Sequence, residues 1–302
     1  MSTTPIQAQQ PLEEPRKPSR GNVARRQIAD YVVSGLAILA TILVLAPLAA
    51  ILFYLLFKGA SSLNLAFFTH IPAPVGEEGG GMANAILGSG FILALASLMG
   101  IPIGIAAGVY LSEFGRGKIL GDAIRFTADV LNGVPSIVMG ISIYSLVVKP
   151  QRHYSALAGG IALAIMMIPT ITRTTEEMLA TVPLAIREAA LGLGVPKWRT
   201  AVSVSLRTAS PGIITGCMLA FARVAGETAP LLFTAFGNQF WSFKLDQPIA
   251  ALPLQIFAYA ISPYDEWHRL AWAGALVLIT LIMVSVTLVR IFASRGMLKG
   301  GS

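Results

Sequence analysis

Two residues of this 302-residue chain have the types and spacing to act on a charged solute, Arg223 and Glu227. They stand four apart in an apolar stretch, Pro211 to Phe236, which places them on one face of a predicted helix. With a start at Pro211 and 1.5 Å rise per residue, Arg223 falls roughly 18 Å deep, near the middle of a hydrocarbon core about 30 Å thick. A central arginine costs about 2.5–3.5 kcal/mol on insertion scales, so both charges are expected to face a bundle interior or a water-filled cavity. The guanidinium would offer a fork of donors to an oxyanion in transit. Glu227 would hold that fork when the path is empty, since a passage site must also release its solute. A structural ion pair that locks two helices or two subunits is the competing reading. Pro230 cannot donate to the carbonyl of Gly226, which predicts a kink beside the charges. Thr228, Asn132 and Ser136 are further polar candidates for the same path, with plain packing an equal reading for the latter two.

The elements that must position these residues are membrane helices. Hydrophobic residues make up 55% of the chain, charged residues 12%, and the mean hydropathy is +0.70. A soluble domain carries about a quarter charged residues. Apolar runs of spanning length read as Tyr31–Phe57, Ala83–Leu111, Phe126–Val148, Ser155–Ile171, Pro211–Phe236 and Leu270–Phe292. The fold class is therefore an all-α integral membrane protein of about six transmembrane helices. Residues 1–28 are polar and proline-rich and read as a disordered tail. The membrane domain then covers 29–295, and 296–302 form a second tail. Gly100, Pro102, Gly104 and Gly108 predict that the second span is broken or closely packed, and Gly212 with Gly216 forms a small-residue step for helix approach. Pro248 to Ile261, too short to span and cut by Pro253, reads as interfacial or re-entrant.

The net charge of +7 is an orientation signal rather than a nucleic-acid footprint. With both termini inside, the inner segments hold sixteen of the 22 Lys and Arg residues. The outer segments hold only Lys58, Lys149, Arg152, Lys244 and Arg269. Both ends are thus expected in the cytoplasm. On that side Thr172–Ala209 predicts two short helices, one after Pro183 and one after Pro196. Leu184, Leu191, Val195 and Trp198 recur there at helical spacing. Such a stripe suits either lipid headgroups or a docking protein.

Other chemistry finds little support. Gly115-Arg116-Gly117-Lys118-Ile119 lacks the spacing and final hydroxyl of a phosphate-binding loop, and no HExxH or cysteine-rich metal pattern occurs. The one cysteine, Cys217, reads as a small buried hydrophobe. His70, His153 and His268, with Glu113 and Asp122, read as solvated, while Asp129 could pair with Arg125.

Glu188-Ala189-Ala190, Gly194 and Val204-Ser205-Leu206 resemble the EAA loop of ABC-importer permeases, with Arg207 where the pattern has proline. Asn132-Gly133-Val134-Pro135-Ser136-Ile137, Arg173-Thr174-Thr175-Glu176-Glu177 and Ala222 through Pro230 resemble the phosphate-specific permeases of that class, on the A-type side. The resemblance implies a type I ABC-importer permease fold in a bacterial plasma (inner) membrane. It implies a homologous C-type permease, an ATP-binding subunit dimer carrying ATP and Mg, and an extracytoplasmic phosphate-binding protein. Glu188, Ala189, Ala190, Gly194 and Trp198 would form the contact with the ATPase. No cofactor and no metal is expected on this chain itself, nor any covalent catalysis. The alternatives are a permease of the same class for another oxyanion, or a stand-alone secondary transporter with Glu227 as a proton relay.

Overall fold

In lipid each backbone N–H and C=O must be satisfied within its own segment, which makes helices of the long apolar runs. The computed structural model describes residues 20–298 apart from 76 and 78, with side chains between 25 and 291. Among the described residues, five helices are long and apolar enough to cross a membrane, or six if one bent pair counts as a span. The elements are α1 (Arg20–Ala60), α2 (Leu65–Thr69), α3 (Ala83–Phe114), α4 (Ile119–Gly133), α5 (Ser136–Gln151), α6 (Ala156–Ala180), α7 (Leu184–Gly192), α8 (Lys197–Ala225), α9 (Ala229–Thr234), α10 (Leu252–Ala260) and α11 (Asp265–Leu298).

The chain divides into two units, one ending at Tyr54 and one beginning at Leu55. In the first, every residue from Arg25 on is exposed. An apolar helix exposed around its whole circumference is one that lipid solvates. Of the expected 1–28 tail, residues 1–19 lie outside the described residues, while 20–28 are already helical. They contain no proline, and their polar composition hid the helix. Of the second expected tail, 296–298 continue α11 and 299–302 lie outside the described residues.

The second unit is organised on α3 and α6. Ile92, Ala96, Leu163, Met167 and Ile171 are buried between them. α3 runs unbroken through Pro102 and ends in a π-helical turn, Tyr110–Phe114. Its glycine row is a packing surface: a Cβ at Gly108 would lie 2.5 Å from the Cβ of Thr175 on α6. Close approach, rather than a break, explains the row. α8 uses Gly212 and Gly216 in the same way, against Met178 and Thr174 of α6.

Four boundaries differ from the sequence expectation, each for a local reason. The third span is two helices, α4 and α5, bent by 107°. Val134, at φ −71° and ψ 129°, is held extended by the following Pro135, which also lacks a donor. α6 continues past Ile171 to Ala180, because its polar end faces α4 rather than water. The second short helix of the expected loop is the first turn of α8, which runs on through a π-helical turn at Ala201–Ser205. That helix then stops at Ala225 instead of reaching Phe236.

Between α9 and α11 the chain folds back into the bundle. Ile249, Ala250, Ala251 and Leu252 are at most 2% exposed. Their surroundings meet the backbone's needs: Leu252 N–H donates to Ser89 Oγ at 2.6 Å, and Asn84 donates to the carbonyl of Asn238 at 2.9 Å. Irregular backbone at membrane depth is tolerated only when buried in protein or lining a cavity. The stretch expected as interfacial or re-entrant is thus a buried return with a short helix, α10.

Candidate functional site

The polar residues singled out in the sequence collect at two interruptions. α8 ends two residues after Arg223, with Gly226 at φ −96° and ψ 1° outside the helix. The Glu227 N–H still donates to the carbonyl of Val224 at 3.1 Å, but the helical ladder goes no further. Arg223 and Glu227 therefore do not share a helical face, and among the described residues no ion pair joins them. The helix itself begins well before Pro211, at Lys197, 26 residues before Arg223. The arginine instead places its charge in the last turn, where free carbonyls give the helix a partial negative end. It is exposed, whereas Glu227 and Thr228 are half-buried. Thr228 Oγ1 points to the Pro253 carbonyl at 3.5 Å. Pro230 does not kink α8; it opens α9, in a first turn that needs no N–H.

The second interruption is the α4–α5 bend. Asn132 accepts from Thr170 Oγ1 at 3.3 Å, and Ser136 is the first residue of α5. Both are half-buried. A Cβ on Gly140 would meet the Cα of Pro230 at 2.7 Å, so α5 and α9 run in backbone contact just beyond their breaks. Two discontinuous helices lie side by side, and their ends contribute free carbonyls, free N–H groups, one guanidinium, one carboxylate and two hydroxyls. This is the construction by which membrane proteins hold an ion inside a bundle.

A charge seam nearby escaped sequence reading. Arg125 Nε lies 2.7 Å from Glu176 Oε1, Nη1 lies 3.0 Å from Asp122, and Nη2 donates to the Leu111 carbonyl at 3.2 Å. Arg173 Nε donates to Asp129 Oδ1 at 2.9 Å and Nη1 stands 3.4 Å from Glu176. The partner of Asp129 is thus Arg173, not Arg125, and Asp122 is paired rather than merely solvated. The signal was available: Asp122, Arg125, Asp129 and Asn132 recur at steps of three and four on α4, as Thr170, Arg173 and Glu176 do on α6.

At the same end of the bundle α7 turns its other residues outward. Glu188 and Ala189 are exposed and Ala190 is buried. Gly194 closes the helix at φ +81°, a left-handed conformation that favours glycine. Leu184, Leu191 and Trp198 are 66%, 45% and 58% exposed, an apolar stripe without cover in the isolated chain. Glu113, expected as solvated, is buried against Arg187 of α7 at 3.2 Å. His268 stands in the first turn of α11 and contacts the Ser262 carbonyl through Nε2 at 2.7 Å. Among the described residues no three metal-binding side chains gather.

Residues 100–296 match the family described as "Binding-protein-dependent transport system inner membrane component". The phosphate transport system permease protein PstA of Yersinia pestis is 48% identical over 245 residues, 81% of this chain and 83% of that protein. The PstA protein of Haemophilus influenzae is 45% identical, covering 87% of this chain and 93% of its own length. PstA 1 of Mycobacterium tuberculosis is 34% identical over 97% of this chain and 98% of its own. The chain belongs to the A-type phosphate-transport permeases. Solved structures of the methionine ABC transporter MetNI, inward facing, and of an amino acid ABC transporter match with TM-scores of 0.54 each. At 17% and 18% identity, over 71% of this chain and 94% and 92% of theirs, they establish a shared type I importer permease fold. The permease is accordingly a multi-pass membrane protein, and its two helix interruptions lie within the matched family region.

Proposed function

We infer that the permease forms one wall of the path of an ATP-driven importer of inorganic phosphate. The observation that carries this reading is Arg223, an exposed guanidinium without an ion-pair partner among the described residues, at the end of an interrupted membrane helix. The 45–48% identity to proteins named as phosphate transport permeases supports phosphate as the anion. Thr228, Asn132 and Ser136 would add hydrogen bonds at the two breaks. Glu227 would compete with the solute for the guanidinium and so limit residence.

The rest of the machine lies outside this chain. A related C-type permease would supply the opposing wall, and a phosphate-binding protein would deliver solute from the far side. A pair of ATP-binding subunits, holding ATP and Mg, would dock on α7 through Glu188, Ala189, Ala190 and the exposed Leu184, Leu191 and Trp198 stripe. The permease would contribute no ATP site of its own. The excess of Lys and Arg at the α7 end supports a bacterial plasma membrane orientation with both termini cytoplasmic.

The test is labelled-phosphate uptake by cells or proteoliposomes containing the assembled complex. Uptake should depend on ATP and should resist competition by sulfate or molybdate. Inhibition by those anions at equal concentration would assign the path to another oxyanion, and uptake that persists with the ATPase disabled would favour a stand-alone transporter.

A further inference from the structure

One guanidinium ties the surface helix α7 to the ends of both central membrane helices. Arg187 Nη1 stands 3.2 Å from Glu113 Oε1, and Nη2 donates to the carbonyl of Leu179. Glu113 belongs to the π-helical turn that ends α3, and Leu179 to the last turn of α6. The two side chains are 7% and 13% exposed, so the contact is shielded from water and salt. Arg187 Nε and Glu113 Oε1 are both buried without a hydrogen-bond partner, so the junction is an ion pair to α3 through Nη1 and a hydrogen bond to α6 through Nη2. Beside it the Lys197 ammonium, at the start of α8, lies 5.4 Å from the centre of the Phe114 ring on the same π-helical turn. π-helical turns are costly and recur at functional positions.

The exposed stripe of α7 and its shielded arginine are immediate neighbours on the helix. Leu184, Glu188 and Leu191 flank Arg187 at helical spacing and line one cavity with it and with Glu113, and they stay exposed while Ala190 is buried. We propose that Arg187 is the positioning residue through which movement of α7 is passed to α3 and α6. A push on the exposed stripe displaces the neighbouring guanidinium, and its two Nη groups carry the displacement into both helices together. This rests on the transporter reading given above, since it assumes that an ATP-driven partner moves α7. Arginine presents two separate Nη groups in a rigid fork, whereas lysine presents one compact ammonium that cannot reach as far in two directions at once.

The experiment compares phosphate moved per ATP hydrolysed in the assembled complex, purified through a tag on this chain and reconstituted with its binding protein. Arg187→Lys keeps the charge and is expected to assemble and hydrolyse ATP near the wild-type rate. Its phosphate-per-ATP ratio should fall by about tenfold, at the upper part of the range for residues that couple distant sites. Glu113→Gln should lower the same ratio. Transport and hydrolysis falling in parallel, with the ratio unchanged, would overturn the proposal, because a merely structural contact predicts that outcome. If Arg187→Lys does not assemble, the exchanged pair Glu113→Arg with Arg187→Glu decides. Recovery of assembly and of part of the ratio supports the junction, and no recovery overturns it. A wild-type complex that moves no phosphate on ATP would overturn the transporter reading instead.

Discussion

The two ends of α8 carry charge in opposite ways. Around its first turn and the adjoining ends of α3, α4 and α6, arginines find carboxylates: Arg187 with Glu113, Arg125 with Glu176 and Asp122, Arg173 with Asp129. At its last turn Arg223 finds none among the described residues, and Glu227 stands off the helix altogether. The first set is spent on holding helices together. The second leaves its guanidinium exposed at the helix end.

That contrast can be broken first at Arg223. Arg223→Gln should lower phosphate uptake by about ten- to hundredfold, the worth of one hydrogen bond to a charged group. Its thermal unfolding in detergent should stay within about 0.5 kcal/mol of wild type, as for a surface change. Loss of stability with uptake preserved would make Arg223 a lock rather than a path residue. Glu176→Gln should do the reverse. It leaves two partly buried arginines short of one carboxylate, at a cost of about 2 kcal/mol, between the values for exposed and buried pairs. Thermal unfolding of the purified chain reads that loss directly.

Gly140→Ala tests whether the two interruptions must lie side by side. The added methyl meets the Pro230 backbone, so a strain of about 1–3 kcal/mol is expected, with uptake falling at least as far as folded protein does. The smallest effect is expected at the far stripe. Leu191→Ala should change stability by about 0.5 kcal/mol or less, since the side chain is exposed, while reducing the ATPase that co-purifies with the chain. Unchanged recovery of that subunit would return the stripe to the lipid surface.

Much of this was legible from residue order alone. Apolar length found the spans, because a bilayer core sets a minimum run. Glycine and proline positions marked the second span as broken or closely packed, of which close packing holds at Gly104 and Gly108, and the surface helix as ending near Gly194. Residue types selected Arg223, Glu227, Asn132 and Ser136, all of which stand at helix interruptions. The seam between α4 and α6 was not read, although its three-and-four spacing was present. Each charge taken alone looks like a solvated surface group, and only an opposing helix turns the row into pairs.

The sequence by itself determined that this chain is a helical membrane protein, and through its motifs, which family it joins. Hydrophobic length and composition act locally, so they survive without knowledge of neighbours. Where helices stop was decided by the tertiary structure. Pro211 and Pro102 sit inside continuous helices, whereas Gly226 ends α8 and Val134–Pro135 bends a span by 107°. Proline supplies the same local cost at Pro102, Pro135 and Pro211. Whether the chain breaks there depends on what the surrounding helices offer the freed backbone groups, and that is settled only by packing. The same packing separated Arg223 from Glu227, leaving the guanidinium exposed at the end of α8 rather than held in a pair.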